Sequence, residues 1–226
     1  MLNWLFTPQC AACGASATTL CESCSASLDE LGPACPRCAE PTGEHAVICR
    51  RCLAAPLPLE RIVAPWQFGG QLAVAIRRLK FTGRTHVARD VAPLWAPLVR
   101  AAVEPDGIIV PVPLHWRRRF SRGYDHAWLL AIHACRLVDL PPPTAALRRV
   151  RAAPPQSKLT AAQRRDNLRG AFAVRDRRAV AGKSIVLVDD VVTTGATLAA
   201  AARALLAAGA ARVVGVALAR ATSARG

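Results

Sequence analysis

At 226 residues and 52% hydrophobic content, the chain has room for one α/β domain, a small appendage and an ample core. Its net charge is +15, and only three of its 30 basic residues are lysines (Lys80, Lys158, Lys183). Such a balance points to a polyanion partner (nucleic acid or a polyphosphate substrate) or to a coding bias that favours Arg and Ala together. Residues 1–20 lack a basic leader and are broken by Pro8, Gln9 and two cysteines, which is unlike a secretory signal. The apolar stretch Val91 to Val103 holds two prolines and Arg100 and is too short to span a bilayer. A cytoplasmic protein with no membrane insertion is expected.

Eight of the nine cysteines fall in the first 52 residues, all as Cys-x-x-Cys: Cys10/Cys13, Cys21/Cys24, Cys35/Cys38 and Cys49/Cys52. In a reducing compartment disulfides are disfavoured, whereas paired thiolates suit tetrahedral zinc. Each pair forms a knuckle with two ligands, so two pairs close one site, and eight thiolates give two structural Zn²⁺ sites. A thioredoxin-like redox role needs fewer pairs than these four. Successive pairing gives ribbons over 10–24 and 35–52, and crossed pairing gives longer loops. Gly32-Pro33 falls between the successive ribbons as a natural joint. The lone Cys135, on an apolar helix expected over Ala127 to Leu140, reads as a small buried hydrophobe.

The Pro/Ala/Leu-rich segment 53–59 reads as a linker, which sets a cysteine-rich domain at 1–55 and an α/β domain at 56–226. A strand is expected over 61–68, a helix over 71–80 ending at LKFTGR (79–84), and a second helix over 86–103. Lys80 and Arg84 serve that helix end either as a solvated, dipole-matched terminus or as a basic cluster with a task. Residues 107–113 form a buried strand, followed by Leu114-His115-Trp116 and the basic run Arg117, Arg118, Arg119 and Arg122. Arginines packed so densely after a strand repel one another unless an anion sits among them. His115 and His126 read as scaffold histidines. The polar segment 151–170 reads as a mobile functional loop or a surface excursion. In the former case Lys158, Arg164 and Arg165 would close over a ligand. Short strands are expected near 144–148 and 171–174.

The stretch Ile185 to Leu198, IVLVDDVVTTGATL, organises the rest. Its unbroken Val/Ile/Leu run predicts a parallel strand buried on both faces, with a ligand turn at its carboxyl end. Gly195 permits φ > 0, and the helix expected over 195–208 offers free N–H groups and a positive dipole end to an anion. Asp189 and Asp190 stand about one turn from that cradle. This pairing suits a phosphorylated sugar, the carboxylates taking its hydroxyls and the turn its phosphate. Because successive strand residues point to opposite faces, both carboxylates serve one ribose only if the strand ends at Asp189. A last buried strand is expected over 213–218, and the strand–helix alternation indicates a parallel sheet with helices on both faces.

Residues 186–197 resemble the binding motif of type I phosphoribosyltransferases for 5-phosphoribosyl-1-pyrophosphate. More narrowly, the cysteine knuckles, LKFTGR (79–84), VPVPLHWRRRFSRGYDHA (110–127) and PPQSKLTAAQRRDNLRGAF (154–172) resemble the ComF family (ComFC- and GntX-like proteins of DNA uptake and utilisation). His126 departs from that pattern, which has an amide residue there. The resemblance implies a type I phosphoribosyltransferase-like domain behind a double zinc ribbon. It implies that Asp189 and Asp190 hold the ribose 2′- and 3′-hydroxyls and act as the catalytic pair. By the same likeness, Thr193, Thr194, Gly195, Ala196 and Thr197 bind the 5′-phosphate, and Arg117, Arg118 and Arg119 lie near the pyrophosphate. Mg²⁺ would arrive with the pyrophosphate. Single-stranded DNA and competence or recombination proteins are the implied partners. The rival expectation is an accessory module that binds single-stranded DNA on this fold without turnover.

Overall fold

In a computed structural model the described residues are 9–16, 19–115, 120–151, 168 and 170–222. The expected run at 185–188 lies within strand β6 (Ser184–Val192), which is flanked in parallel by β3 (Ile108–Pro111) and β7 (Arg212–Arg220). Two short strands, β1 (Ile62–Val63) and β2 (Trp66–Gln67), lie parallel on the other edge of β7. The order across the sheet is β1-β7-β6-β3, with β2 also paired to β7. Side chains alternate along β6. Ile185 and Leu187 face one apolar layer, whereas Val186 and Val188 face the other. Both layers are dry, which is why the run carries no polar alternation.

The first layer is built from α3 (Gly70–Phe81), α4 (Val87–Asp90), α5 (Ala96–Ala102) and α6 (His126–Leu137), around the fully buried Trp95. The second holds α7 (Ala196–Ala207), together with β4 (Leu147–Arg149) and β5 (Phe172–Val174). Those last two strands pair antiparallel as a separate two-stranded sheet.

Prolines account for the main departures from the expected elements. The strand over 61–68 is two pieces around Ala64-Pro65, because Pro65 has no N–H for a ladder. The helix over 86–103 is split into α4, a 3₁₀ turn at Ala92–Leu94 and α5, with Pro93 and Pro97 each seated in a first turn. The 53–59 segment is no free linker. Helix α2 (Arg50–Ala54) takes its start, and Leu59 is 1% exposed in the second layer. Cys135 is buried as expected.

The two cysteine ribbons repeat one design. Each opens with an antiparallel bridge (Gln9 to Ser16, Ala34 to Pro41) and closes with a short helix after its third cysteine, α1 (Glu22–Ala26) and α2. The third cysteine's N–H donates to the first cysteine's Sγ in both, Cys21 to Cys10 at 3.3 Å and Cys49 to Cys35 at 3.4 Å. No helix among the described residues is long and apolar enough to cross a membrane.

Candidate ligand site at the carboxyl end of the sheet

Strand β6 does not end at Asp189. It runs on to Val192, and parity sends Asp190 to the same face as Val186 and Val188. There Asp190 is 3% exposed, and its Oδ2 meets two side chains supplied by different helices. Lys80 Nζ comes from the end of α3 and His126 Nε2, at 3.1 Å, from the first turn of α6. Its Oδ1 accepts from the Val191 amide at 2.7 Å. Asp189 stays half-buried, and its Oδ1 accepts from the Asp190 amide at 2.9 Å. Despite opposite parity, the His126 nitrogen and one oxygen of each aspartate lie within 4.8 Å of one another.

Their environments drive the two carboxyls apart. Burial pushes Asp189 up, the neighbouring Asp190 charge adds to it, and its pKa reaches about 7. For Asp190 burial acts in the same upward direction, but His126 and Lys80 outweigh it and hold the group well below the usual carboxylate range. Asp190 is therefore a charge held within the protein by His126 and Lys80, and Asp189 is the more exposed carboxyl of the two. The sequence condition that the strand stop at Asp189 is not met, since β6 continues to Val192.

Beyond Val192 the chain turns through Thr193, which is exposed, and half-buried Thr194 into Gly195, whose φ is 76°. Gly195 is the N-cap of α7, and Thr194 Oγ1 accepts from the Ala196 amide at 3.3 Å. The first N–H groups of a helix have no partner within it, so α7 presents donors and a positive dipole end here. Thr197 is half-buried on that first turn. Gly195 is required for two reasons: its positive φ, and a Cβ there would stand 2.9 Å from Ile62 Cδ1 and 3.4 Å from Leu57 Cδ1. Gly195→Ala should therefore cost about 1–3 kcal/mol from backbone strain alone. Urea unfolding would check this, and trimming Ile62 to Val should recover only the contact part of the loss.

A cleft of about 690 Å³ opens beside Lys80, lined by Phe81, Thr82, Gly83, Ser121, Arg122 and Tyr124. Arg122 lies over the Phe81 ring, 4.8 Å from its centroid, and its Nη1 stands 3.4 Å from His126 Nδ1. Phe81 is nonetheless 70% exposed. Asp125 ties the start of α6 to the end of β3. Its Oδ1 caps α6 by accepting from Ala127 and Trp128, and its Oδ2 accepts from the Leu114 amide after β3. Arg117, Arg118, Arg119 and Lys158, with Arg164 and Arg165, lie outside the described residues. Sequence reasoning left Lys80 between two readings and took His126 for scaffold, yet these are the two groups that hold Asp190. The one signal available was the departure at His126, where an amide side chain would also offer a donor to that carboxylate.

The eight thiols gather as successive pairs, Cys10, Cys13, Cys21 and Cys24 in one cluster and Cys35, Cys38, Cys49 and Cys52 in the other. Within each cluster the sulfurs lie within 4.8 Å of one another. Four convergent thiols fit a closed tetrahedral zinc site. The local fields favour thiolate at the first cysteine of each ribbon. Burial opposes ionisation at Cys10, but the N–H groups of Cys21, Cys13 and Ala12 bring it down to about 6. At Cys35 burial is likewise overcome, by the N–H groups of Cys49, Arg37 and Cys38, to about 7.

A parallel sheet with a helix-capped turn after its acidic strand, joined to two four-cysteine knuckles, defines a phosphoribosyltransferase-fold protein with a double zinc ribbon. Residues 129–225 match the phosphoribosyl transferase domain family model, and residues 1–53 match the double zinc ribbon domain model. The chain belongs to the ComF family. It is 36% identical over 199 residues to the DNA utilization protein YhgH of Salmonella typhi, covering 86% of this chain and 87% of that protein. It is 31% identical to competence protein F of Haemophilus influenzae, over 79% of this chain and 80% of the relative. Competence protein ComFC of Bacillus subtilis is 30% identical, over 83% of this chain and 78% of its own length. Among solved structures, a glutamine phosphoribosylpyrophosphate amidotransferase from B. subtilis overlaps 57% of this chain and 26% of its own at 23% identity. Its TM-score is 0.39.

Proposed function

We propose that the protein binds 5-phosphoribosyl-1-pyrophosphate with Mg²⁺ at the carboxyl end of β6 and serves DNA uptake or utilisation, as the names of its relatives suggest. The observation that supports this reading is Asp190 bound by Lys80 and His126, beside half-buried Asp189, on the strand that leads into the Gly195 cap of α7. Asp189 accepts from the ribose hydroxyls, and the amides and hydroxyls of Thr193 to Thr197 take the 5′-phosphate. Lys80 and Arg122 place positive charge beside the cleft that would receive the pyrophosphate, with Arg117, Arg118, Arg119 and Lys158 as further candidates. Mg²⁺ would be held by substrate oxygens and water rather than by protein side chains, and would supply charge compensation for the leaving group. In transfer the bond from the anomeric carbon to pyrophosphate breaks through an oxocarbenium-like state, and the acceptor bonds to that carbon. Asp189 and Asp190 are the catalytic pair in this reading, the first at the sugar and the second as its electrostatic anchor. Two structural Zn²⁺ ions hold the knuckles. The cysteine-rich domain spans 1–55 and the transferase-like domain 56–226, in a cytosolic protein whose thiols stay reduced.

Because Asp189 holds its proton up to about pH 7, while hydroxyl binding needs the carboxylate, ligand binding should expel a proton below that pH. Calorimetry with the Mg²⁺ complex at pH 6 in buffers of different ionisation heat should show wild type releasing about one more proton than Asp189→Asn. The excess should vanish at pH 8. No binding heat, or identical proton release by both proteins, sinks the reading.

A second reading has its own observation. Phe120 is 89% exposed and Phe81 70% exposed, beside Arg122 and a strongly basic chain. Exposed rings with arginines suit the stacking of single-stranded DNA bases. Such binding should weaken steeply with salt, and a flat salt dependence would exclude it.

A further inference from the structure

The second cysteine cluster touches the ligand turn by two routes. Along the first, Arg220 at the end of β7 sits in register with Val192, the last residue of β6. The next amide, Ala221, donates to the Val192 carbonyl at 2.8 Å. The Arg220 side chain is 1% exposed, and a buried guanidinium is costly unless it is paired. Its partners belong to the second ribbon, for it donates to the Cys38 carbonyl and to the Glu40 carboxylate. Glu40 in turn pairs with Arg51 at 3.3 Å, and Arg51 Nη2 donates to Cys38 Sγ at 3.3 Å. Along the second route, Leu57 packs against the cluster of Cys35, Cys38 and Cys52. The same side chain closes the space that a Gly195 Cβ would enter. The first cluster is tied elsewhere, to α3, where Arg78 donates to the Cys10 and Ala11 carbonyls at 3.5 and 3.4 Å.

We infer that Arg220 is a positioning residue that couples the second cysteine cluster to the Val192–Thr197 turn, so that an intact Cys35–Cys52 knuckle holds the turn in its ligand-binding shape. The coupling stands on the contacts alone; only its consequence for phosphate binding rests on the ligand reading above. Such coupling is reciprocal, so a group seated on the turn should also tighten metal binding at this cluster. Glu40 is the hinge of the linkage, because it holds Arg220 from the sheet and Arg51 from the knuckle at once.

Hydrogen exchange on the full, zinc-loaded chain tests this without any sugar phosphate. In Arg220→Met the hydrogen-bonded amides that flank the turn, Ala199 on Gly195 and Ala221 on Val192, should exchange about tenfold faster, while those of α6 and β3 stay within about twofold. Arg220→Lys, which keeps the charge but loses the fork that reaches both acceptors, should fall between. Should Arg220→Met not fold, Glu40→Gln, with its side chain 31% exposed, makes the same comparison. Arg78→Met, which unties the first ribbon, should leave Ala199 and Ala221 unchanged. Unchanged exchange at Ala199 and Ala221 in both Arg220→Met and Glu40→Gln, with metal retained, overturns the coupling. So does an equal rise across α6 and β3, which marks general loosening. If wild type fails to bind phosphoribosyl pyrophosphate, the ligand reading falls while the exchange result still decides the coupling.

Discussion

Asp190→Asn is expected to cost about 3 kcal/mol of stability, the lower end for breaking a buried ion pair, because Lys80 keeps 23% of its side chain in water. The loss comes from what is left behind. His126, 7% exposed on its side chain, would face a neutral amide in place of its carboxylate, and Lys80 would lose its partner. Lys80→Met should cost less, since His126 still compensates Asp190. The pH dependence fixes the assignment. Asp190 has a folded pKa depressed below its unfolded value, so its stabilisation is fully present above about pH 4 and is lost as pH falls lower. The gap between wild type and Asp190→Asn in urea unfolding should therefore be wide at pH 6 and narrow towards pH 3. Asp189 has the opposite sign. Its pKa is raised to about 7, so the folded state gives up stability as pH climbs from about 4 through 7. Asp189→Asn should be neutral at pH 4 and stabilising at pH 8. Curves that run in parallel for the two variants would refute this division of roles.

The parity that separates these aspartates could be counted along the chain, residue by residue, from Ile185. What could not be counted was where the strand stops, because Val191 and Val192 suit either a strand or a turn. Their pairing with Ala219 and Arg220 decides it, and that is a property of β7. The partners of Asp190 were hidden for a related reason. Lys80 and His126 reach it only because α3 and α6 belong to the same layer on one face of the sheet, a tertiary fact with no local signature. The cysteine pairs were legible because metal chemistry restricts their spacing, and the buried strand was legible because two dry faces demand a continuous apolar run. Residues 53–59 misled for want of period. Leu57 and Leu59 look like linker residues among prolines, yet they fill the space between the second ribbon and the sheet. Pro93 and Pro97 interrupt an apolar stretch that otherwise reads as one helix, and here the local rule outranked the pattern.

Removing the metals is expected to do more damage than any single substitution. Structural zinc in small knuckles contributes on the order of 10 kcal/mol at neutral pH, with part of that lost because unfolded cysteines also bind metal. The thiols do not sit on a detachable appendage. Cys10 and Cys24 belong to the same apolar layer as Trp95 and Val188, and Cys38 carries the carbonyl that satisfies the buried Arg220. Chelation should thus lower Tm by about 10–20 °C if only about 5 kcal/mol reaches the sheet, at the 2–4 °C per kcal/mol typical of this size. Single cysteines separate the sites. Cys13→Ser alters an exposed ligand of the first cluster, and Cys38→Ser alters a fully buried one that also accepts from Arg51. The second should lose the more Tm, and metal counting should show about one ion retained in each variant. Calorimetry alongside metal analysis is the measurement. A chelated protein that melts at the wild-type temperature would mean that packing alone holds the ribbons against the sheet.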